Sequence, residues 1–484
     1  MNLRNIITAC ALAMTAMAAP AEELIILHTN DTHSALDPDD KNLGGVLRRK
    51  ALIDSVRTAR PGRVLLVDCG DAVQGTLYYT LYKGEVERKM MNALGYDIAI
   101  LGNHEFDNGL DVLAGELSQL DADLITTNYD LRDTPLDSLF TPYTIKDVNG
   151  HKIGFLAINL DPKGMIADSN AGNVKYTDGI KAANAMAWYL RNVMHADKVI
   201  ALTHIGYDTH NPPTPSDLEL ASATEGIDII IGGHSHTVVD PAKPRQAWRV
   251  PNAAGDTVLV AQAGSRGRYL GEITVDLDSP RTDYRLISVD KRLDDRIDPE
   301  AAAILYTYRQ GVDSLKNMKI GRLAQEFPSG SQILLNWVAD AMHDMGSRLI
   351  DKPVDLAIVN KGGIRRGLPA GHITKEMIMT MLPFDNKLVV MQLTGRDLLA
   401  SIEVMKGRGG DGISGGFDIE RIDPDKTYTV VTIDYLAQGG DYLEPLTHGE
   451  IVTRSKKRLD ETMIDYIEGH HNHKITYRDN RPRM

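Results

Sequence analysis

The sequence predicts a two-domain α/β protein, and three observations carry that expectation. At 484 residues the chain exceeds the roughly 250–300 residues at which one hydrophobic core stops growing. Between residues 22 and 290, short apolar runs end abruptly in Asp, Asn, His or Gly and alternate with amphipathic segments. Buried strands and helices packed in layers produce that rhythm. Near residue 290 the rhythm changes, which marks a boundary.

Residues 1–21 read as a cleaved leader rather than part of the fold. Arg4 supplies the positive start, Ile6–Met17 is apolar, and Ala19-Pro20-Ala21 offers a small-residue cleavage site. The apolar stretch before Cys10 is too short for a lipid-anchor signal. An exported protein, periplasmic or extracellular, is therefore expected. No later run approaches the ~20 apolar residues of a membrane helix.

Strands are expected at Leu24–Leu27, Val64–Val67, Ile98–Leu101, Val199–Leu202 and Ile227–Ile231, with helices at Gly84–Leu94 and Gly179–Met194. Asp298-Pro299-Glu300 combines an N-cap residue with proline at the first helical position, so Pro299–Lys316 reads as a connecting helix. Beyond Lys319 the expectations are a helix at Leu334–Met345, strands at Val354–Val359 and Thr427–Ile433, and a hairpin-like run at Leu388–Leu393. Charges at helical spacing from Arg454 to Glu468 suggest a C-terminal helix.

Composition excludes several classes. With 43% hydrophobic and 25% charged residues the chain is globular. A formal charge of −13 argues against a nucleic-acid polymer as partner. It leaves room for a small anion, because bound dications reverse a local field. The two cysteines are Cys10 and Cys69. Cys69 reads as a small buried hydrophobe at a strand end, with no disulfide partner once the leader is gone.

Five strand ends deliver candidate metal ligands: Asp31-Thr32-His33, Gly70-Asp71, Gly102-Asn103-His104-Glu105, Thr203-His204 and Gly232-Gly233-His234-Ser235-His236. Carboxylates, imidazoles and an amide oxygen make a mixed N/O set suited to Zn²⁺, Mn²⁺, Fe²⁺ or Co²⁺. Each motif alone is a common turn. Five in succession, each after a buried strand, are not. His28 lies inside the first strand and reads as a core or second-layer histidine. His151, His195, His343, His372 and His448 read as solvated or capping, and His470, His471 and His473 as a solvated tail. His210 reads as a residue near the site entrance.

The series D-x-H, G-D, G-N-H-E, T-H and G-G-H-x-H resembles the calcineurin-like metallophosphoesterases, and its flanking residues resemble the 5′-nucleotidase and UDP-sugar hydrolase branch. The resemblance implies a four-layer αββα sandwich over residues 22–292, a linker over 293–318, and a second α/β substrate-binding domain over 319–484. It implies one divalent metal on Asp31, His33, Asp71 and His236, and another on Asp71, Asn103, His204 and His234, with Asp71 shared. It assigns His104 and Asp107 to a catalytic dyad; their i,i+3 spacing would place them on one face of a helical turn. Glu105 reads as a structural acid. Two ions sharing a hydroxide and clamping phosphoryl oxygens would hydrolyse a phosphate ester.

In the second half, Asn360-Lys361-Gly362-Gly363-Ile364-Arg365 resembles the family's substrate loop, which implies contacts from Asn360 and Arg365. Phe384 and Tyr435 match a base-stacking pair, although alone each would read as a core aromatic, and Asp441 matches a ribose-binding acid. The chain departs from the pattern at Lys361 (usually Gly), His236 (Gln in some relatives) and Tyr435 (usually Phe). It also lacks an Arg or acid over 328–335. The expected activity is release of phosphate from nucleoside 5′-phosphates. The alternatives are a UDP-sugar or 2′,3′-cyclic-nucleotide phosphodiesterase, or a non-catalytic exported nucleoside- or metal-binding protein.

Overall fold

The computed structural model describes residues 22–209, 212–243, 246–469 and 473–484. The leader with Cys10, and His210, His470 and His471, lie outside the described residues.

Two six-stranded sheets form the first half. One runs in the order Thr282–Ser288, Tyr269–Asp276, Glu23–Thr29, Val64–Asp68, Ile98–Ala99, Asp123–Leu124. The other runs Arg249–Pro251, Thr257–Ala261, Ile229–Ile231, Lys198–His204, His151–Asn159, Tyr143–Val148. The inner strands of each sheet are parallel. Parallel strands are buried on both faces, which is why these segments are continuous Ile, Leu and Val runs. Leu24, Ile26 and Val67 of the first sheet share one core with Phe155, Ile200 and Ile229 of the second. Helices cover the outer faces. Val46–Ala59 and Glu85–Leu94 pack on the first sheet, and Gly179–Asn192 and Asp217–Ala223 on the second. This is the expected αββα sandwich.

Asp298 caps the helix Pro299–Lys316, accepting from the N–H groups of Glu300 and Ala301. That helix packs against the first half through Ala301, Leu305 and Val312. The second half has its own core around a five-stranded sheet ordered Gly412–Ile413, Leu356–Val359, Thr427–Ile433, Lys387–Thr394, Glu450–Arg458. Helix Gln332–Ile350 lies against it, burying Leu334, Leu335, Trp337 and Val338.

One expectation needs correction. Residues from Arg454 do not begin a helix: Glu450–Arg458 is a strand paired antiparallel with Lys387–Thr394, and the helix is Leu459–Gly469. The strand is the exposed edge of its sheet, where lysines and arginines guard against further pairing. Edge protection therefore mimics the charge pattern of a solvated helix.

Among the described residues, no helix is long and apolar enough to cross a membrane.

Candidate metal centre and substrate cleft

Because the inner strands are parallel, their carboxyl ends open to one side, and all five motifs meet there. This is where ligands collect in α/β sheets. Several turns take left-handed backbone: Asp31 (φ 49°), His33 (48°), Asp71 (53°), His234 (77°) and His236 (54°). Such conformations cost energy and persist at sites where the surroundings fix them. Two glycines are required by close approach. A Cβ on Gly102 would lie 2.2 Å from Asp71 Oδ1, and one on Gly233 would lie 2.8 Å from both the Cys69 carbonyl and His204 Nδ1.

Two groups of ligand atoms converge, Asp31/His33/His236 and Asp71/His204/His234. Asp71 lies between them. Its Oδ1 accepts the His104 backbone N–H at 2.9 Å, while Oδ2 faces His204 Nε2 at 3.2 Å and His33 Nε2 at 3.9 Å. Asn103 Oδ1 approaches His234 Nδ1 at 2.9 Å, which brings it to the second group.

The donor chemistry fits a pair of cations. His204 Nδ1 donates to the Cys69 carbonyl at 2.7 Å, which fixes the tautomer and leaves the Nε2 lone pair pointing inward. That buried Nε2 makes no hydrogen bond. His33 Nε2 and His236 Nε2 face each other at 2.8 Å, and both can be satisfied at once by a cation near them. Burial opposes charge on His204, but Asp71 raises its pKa to about 10. Burial lowers His33 well below the imidazole range and, with His204, lowers His234 to about 4. Asp71 stays far below the carboxylate range despite burial, because His204 and His104 favour its anion. The centre thus combines carboxylate charge with neutral imidazoles at His33 and His234, while Asp71 favours a proton on His204 that a bound cation would displace.

His104 belongs to neither group. It opens a short 3₁₀ helix, His104–Asn108, and its Nδ1 lies 3.0 Å from Asp107 Oδ2, the geometry the spacing predicts. Burial works against charge on His104, yet Asp107 and Asp71 raise its pKa; burial raises Asp107, with His104 opposing.

Glu105 does more than the sequence suggested. Its Oε2 accepts the N–H groups of Asp71 (2.9 Å) and Gly102 (2.7 Å), and its Oε1 accepts that of Ala72 (3.0 Å). It ties the Gly70-Asp71 turn to the Gly102-Asn103 turn, with Arg88 Nη2 3.5 Å behind it. His28 is a core residue: burial lowers its pKa to about 3, and it stacks on Tyr284 at 5.8 Å. His448 pairs with Asp397 at 2.8 Å, and His473 meets the Ile320 carbonyl at 3.1 Å, both away from the centre.

A cleft of about 410 Å³ joins the centre to the second half, and Asp71, Asn103, His104, Asp107, His234 and His236 line it. From the other side come Asn360, Arg365, Phe384, Tyr435 and Asp441. Phe384 stands apart from the core, whereas Tyr435 packs against its edge. Each is half-buried, and Phe384 lies 5.7 Å from the His104 ring. The Arg365 guanidinium lies 5.8 Å from the Phe384 ring centre. Asp441 is already engaged by Asn360 (2.7 Å), Arg408 (3.0 Å) and the Tyr435 hydroxyl (3.0 Å). Lys361 in place of glycine is tolerated, because the glycine demand falls elsewhere. Lys361 has ordinary backbone and donates its N–H to Asp411, whereas a Cβ on Gly363 would meet Asn360 Oδ1 at 2.6 Å. Met165, Ala167, Ser169, Asn170 and Gln438 also line the cleft. Sequence reading missed them, because no motif marks them.

Residues 24–238 match the calcineurin-like phosphoesterase family, and residues 316–414 match the 5′-nucleotidase C-terminal domain. Mouse 5′-nucleotidase is 31% identical over 88% of this chain and 84% of its own length. The chain belongs to the 5′-nucleotidase family. The crystal structure of a 5′-nucleotidase precursor from Thermus thermophilus superposes with a TM-score of 0.80 at 29% identity, covering 94% of this chain and 98% of the other. Trifunctional nucleotide phosphoesterase protein YfkN of Bacillus subtilis is 29% identical over 92% of this chain, which spans 34% of that longer protein. A member of this family is a metal-dependent phosphoric ester hydrolase, and the two ligand groups are its candidate metal sites.

Proposed function

We propose that this chain is an exported, two-metal phosphohydrolase that releases phosphate from nucleoside 5′-phosphates. The observation that carries the reading is the shared cleft: Asp71, His234 and His236 from the two ligand groups, the His104–Asp107 pair, Arg365 and two half-buried aromatics face one space. In this reading Asp31, His33, Asp71 and His236 hold one ion, and Asp71, Asn103, His204 and His234 the other, with zinc, manganese, cobalt or iron all compatible with the donors. Bound divalent ions would lower the pKa of water at the centre and offset charge on the phosphoryl oxygens.

The side chains supply the rest. Arg365 pairs its planar, permanently charged fork with phosphate oxygens. Phe384 and Tyr435 stack a nucleobase, worth about 1–3 kcal/mol per base and tolerant of base identity. Asn360 and Asp441 meet the sugar. His104, kept basic by Asp107, holds a proton beside the leaving oxygen. The functional halves are 22–292 and 319–484, joined by 293–318.

The test is metal-restored turnover. The purified chain is stripped with chelator, Mn²⁺, Zn²⁺ or Co²⁺ is returned, and phosphate release from AMP, UDP-glucose and a bis-aryl phosphate is measured. Preference for AMP supports the reading. Preference for UDP-glucose or the diester would move the assignment to a pyrophosphatase or phosphodiesterase. No turnover on any of them would leave the non-catalytic binding reading.

A further inference from the structure

Five strand ends carry the candidate ligands, and a sixth carries none. The strand Thr257–Ala261 pairs parallel with Ile229–Ile231, and its Ala261 carbonyl accepts the Gly232 N–H at 2.8 Å. Its end therefore lies beside the turn that bears His234 and His236. The next residue, Gln262, is fully buried. Its Nε2 donates to the Gly233 carbonyl at 2.8 Å, and its Oε1 accepts the Thr237 N–H at 2.7 Å and the Ser235 hydroxyl at 3.1 Å. Those three residues flank His234 and His236, one candidate ligand from each metal group.

The same segment reaches a second ligand turn. Buried Asn30 accepts the Ala263 N–H at 2.8 Å and donates to the Gly264 carbonyl at 2.7 Å and to Asp31 Oδ2 at 2.5 Å. Asp31 in turn accepts the His234 N–H at 3.0 Å. On the far side of Gln262 lies buried Asp217, whose Oδ1 accepts the hydroxyl of Thr203, the neighbour of His204, at 2.6 Å. Gln262 Nε2 lies 3.4 Å from Asp217 Oδ2, and a Cβ on Gly232 would lie 2.0 Å from that same oxygen. Asn30, Asp217 and Gln262 do not line the substrate cleft, so they have no contact with a substrate bound there. Buried polar groups that satisfy one another fix one arrangement, and removing one strands the others.

We propose that Gln262 is a positioning residue for the metal centre: its amide fixes the turn Gly233-His234-Ser235-His236 and thereby the placement of one ligand to each ion. The proposal rests on the ligand assignment above and extends it to a residue that no motif marks. His234 and His236 both take left-handed backbone, at φ 77° and 54°, a conformation that needs support from outside the turn. A glutamine amide supplies a donor and an acceptor in one plane, and here it meets a carbonyl on one side and an N–H on the other. A side chain of equal length without hydrogen bonds would fill the space and leave the Thr237 N–H without this acceptor. The two imidazoles would then lose their fixed places, although every ligand would still be present.

The experiment is calorimetry of Mn²⁺ and Zn²⁺ binding to the chelator-stripped full chain, with the thermal midpoint of each metal-free form measured beside it. Wild type is compared with Gln262→Met, Ser235→Ala and Val260→Ala. In Gln262→Met the overall affinity for two ions should fall at least about tenfold. Val260→Ala empties part of the buried core on the same strand, so it should lower the midpoint and leave affinity unchanged. That contrast separates positioning from plain loss of stability. Unchanged affinity in Gln262→Met, or an equal loss in Val260→Ala, overturns the role of Gln262. Should Gln262→Met fail to fold, Ser235→Ala decides, because it removes only the hydroxyl link: a loss of about threefold or more supports the role, and wild-type affinity overturns it. A wild-type chain that binds neither metal overturns the ligand assignment itself, an outcome distinct from the failure of Gln262 alone.

Discussion

Glu105 shows how one carboxylate positions a centre it does not enter. Three backbone N–H groups from two metal-bearing turns end on its oxygens, and it is 4% exposed with Arg88 behind it. Glu105→Gln replaces one acceptor oxygen with a donor that faces an N–H. Outer partners of metal ligands typically control about 10–100-fold in affinity or activity. The expected result is loss of metal affinity by at least about tenfold, read by calorimetry, with kcat falling in parallel; unchanged affinity would show that the two turns hold themselves. Nearby Glu116 offers a different measurement. Burial, opposed by Arg88 and reinforced by Glu87 and Glu105, raises its pKa from 4.5 to about 8. The folded state therefore keeps a proton that the unfolded state releases. Stability from this group is fully present below the unfolded pKa and is lost as pH rises through about 8. Thermal unfolding of the wild-type chain should weaken between pH 5 and pH 9 more than that of Glu116→Gln. Parallel curves would mean that Glu116 is ionised throughout.

At the scale of elements, the turns matter as much as the strands. Gly102 sits where two strand ends nearly touch, and Gly102→Ala would push a methyl to 2.2 Å from Asp71 Oδ1. Metal content measured after gel filtration should drop for both ions, since Asp71 lies between the groups. Gly115→Ala is the control: its added Cβ meets nothing within 4 Å inside the helix Leu110–Leu117, so it should gain up to about 1 kcal/mol. Retention of both metals in Gly102→Ala would show that the turns can yield. These turns were legible in the sequence because each joins an apolar run to Gly, Asp or His within a few residues. The clamp by Glu105 was not, because its partners lie far along the chain: Glu105 reaches Asp71 and Ala72. The strand Glu450–Arg458 was misread for a related reason. Its identity rests on pairing with Lys387–Thr394, and nothing within Arg454–Arg458 encodes that partner.

At the scale of the molecule, the two halves have separate cores, bridged where Met379 of the helix Lys375–Met381 packs against both. Leu334, Val359 and Val390 belong to one core, while Leu24, Val67 and Ile200 belong to another. Across the cleft, the Asp441 N–H donates to the Gly164 carbonyl at 2.9 Å, and the Tyr435 hydroxyl reaches the same carbonyl at 3.3 Å. On the surface, Lys83 pairs with Asp385 at 2.8 Å. Contacts of this kind are mostly polar and solvent-adjacent, so each contributes little on its own. The candidate metal ligands, in contrast, all belong to the first half. Ligand binding stabilises the unit that binds by about 2.7 kcal/mol at a hundredfold excess over Kd. Calorimetric unfolding should therefore resolve two transitions, and chelation should lower only the one belonging to residues 22–292. Returning Mn²⁺ or Zn²⁺ should restore it in proportion to the logarithm of free metal. If chelation instead moved both transitions equally, the halves would unfold as one unit, and the polar contacts at Gly164 and Asp385 would couple them far more strongly than their chemistry implies.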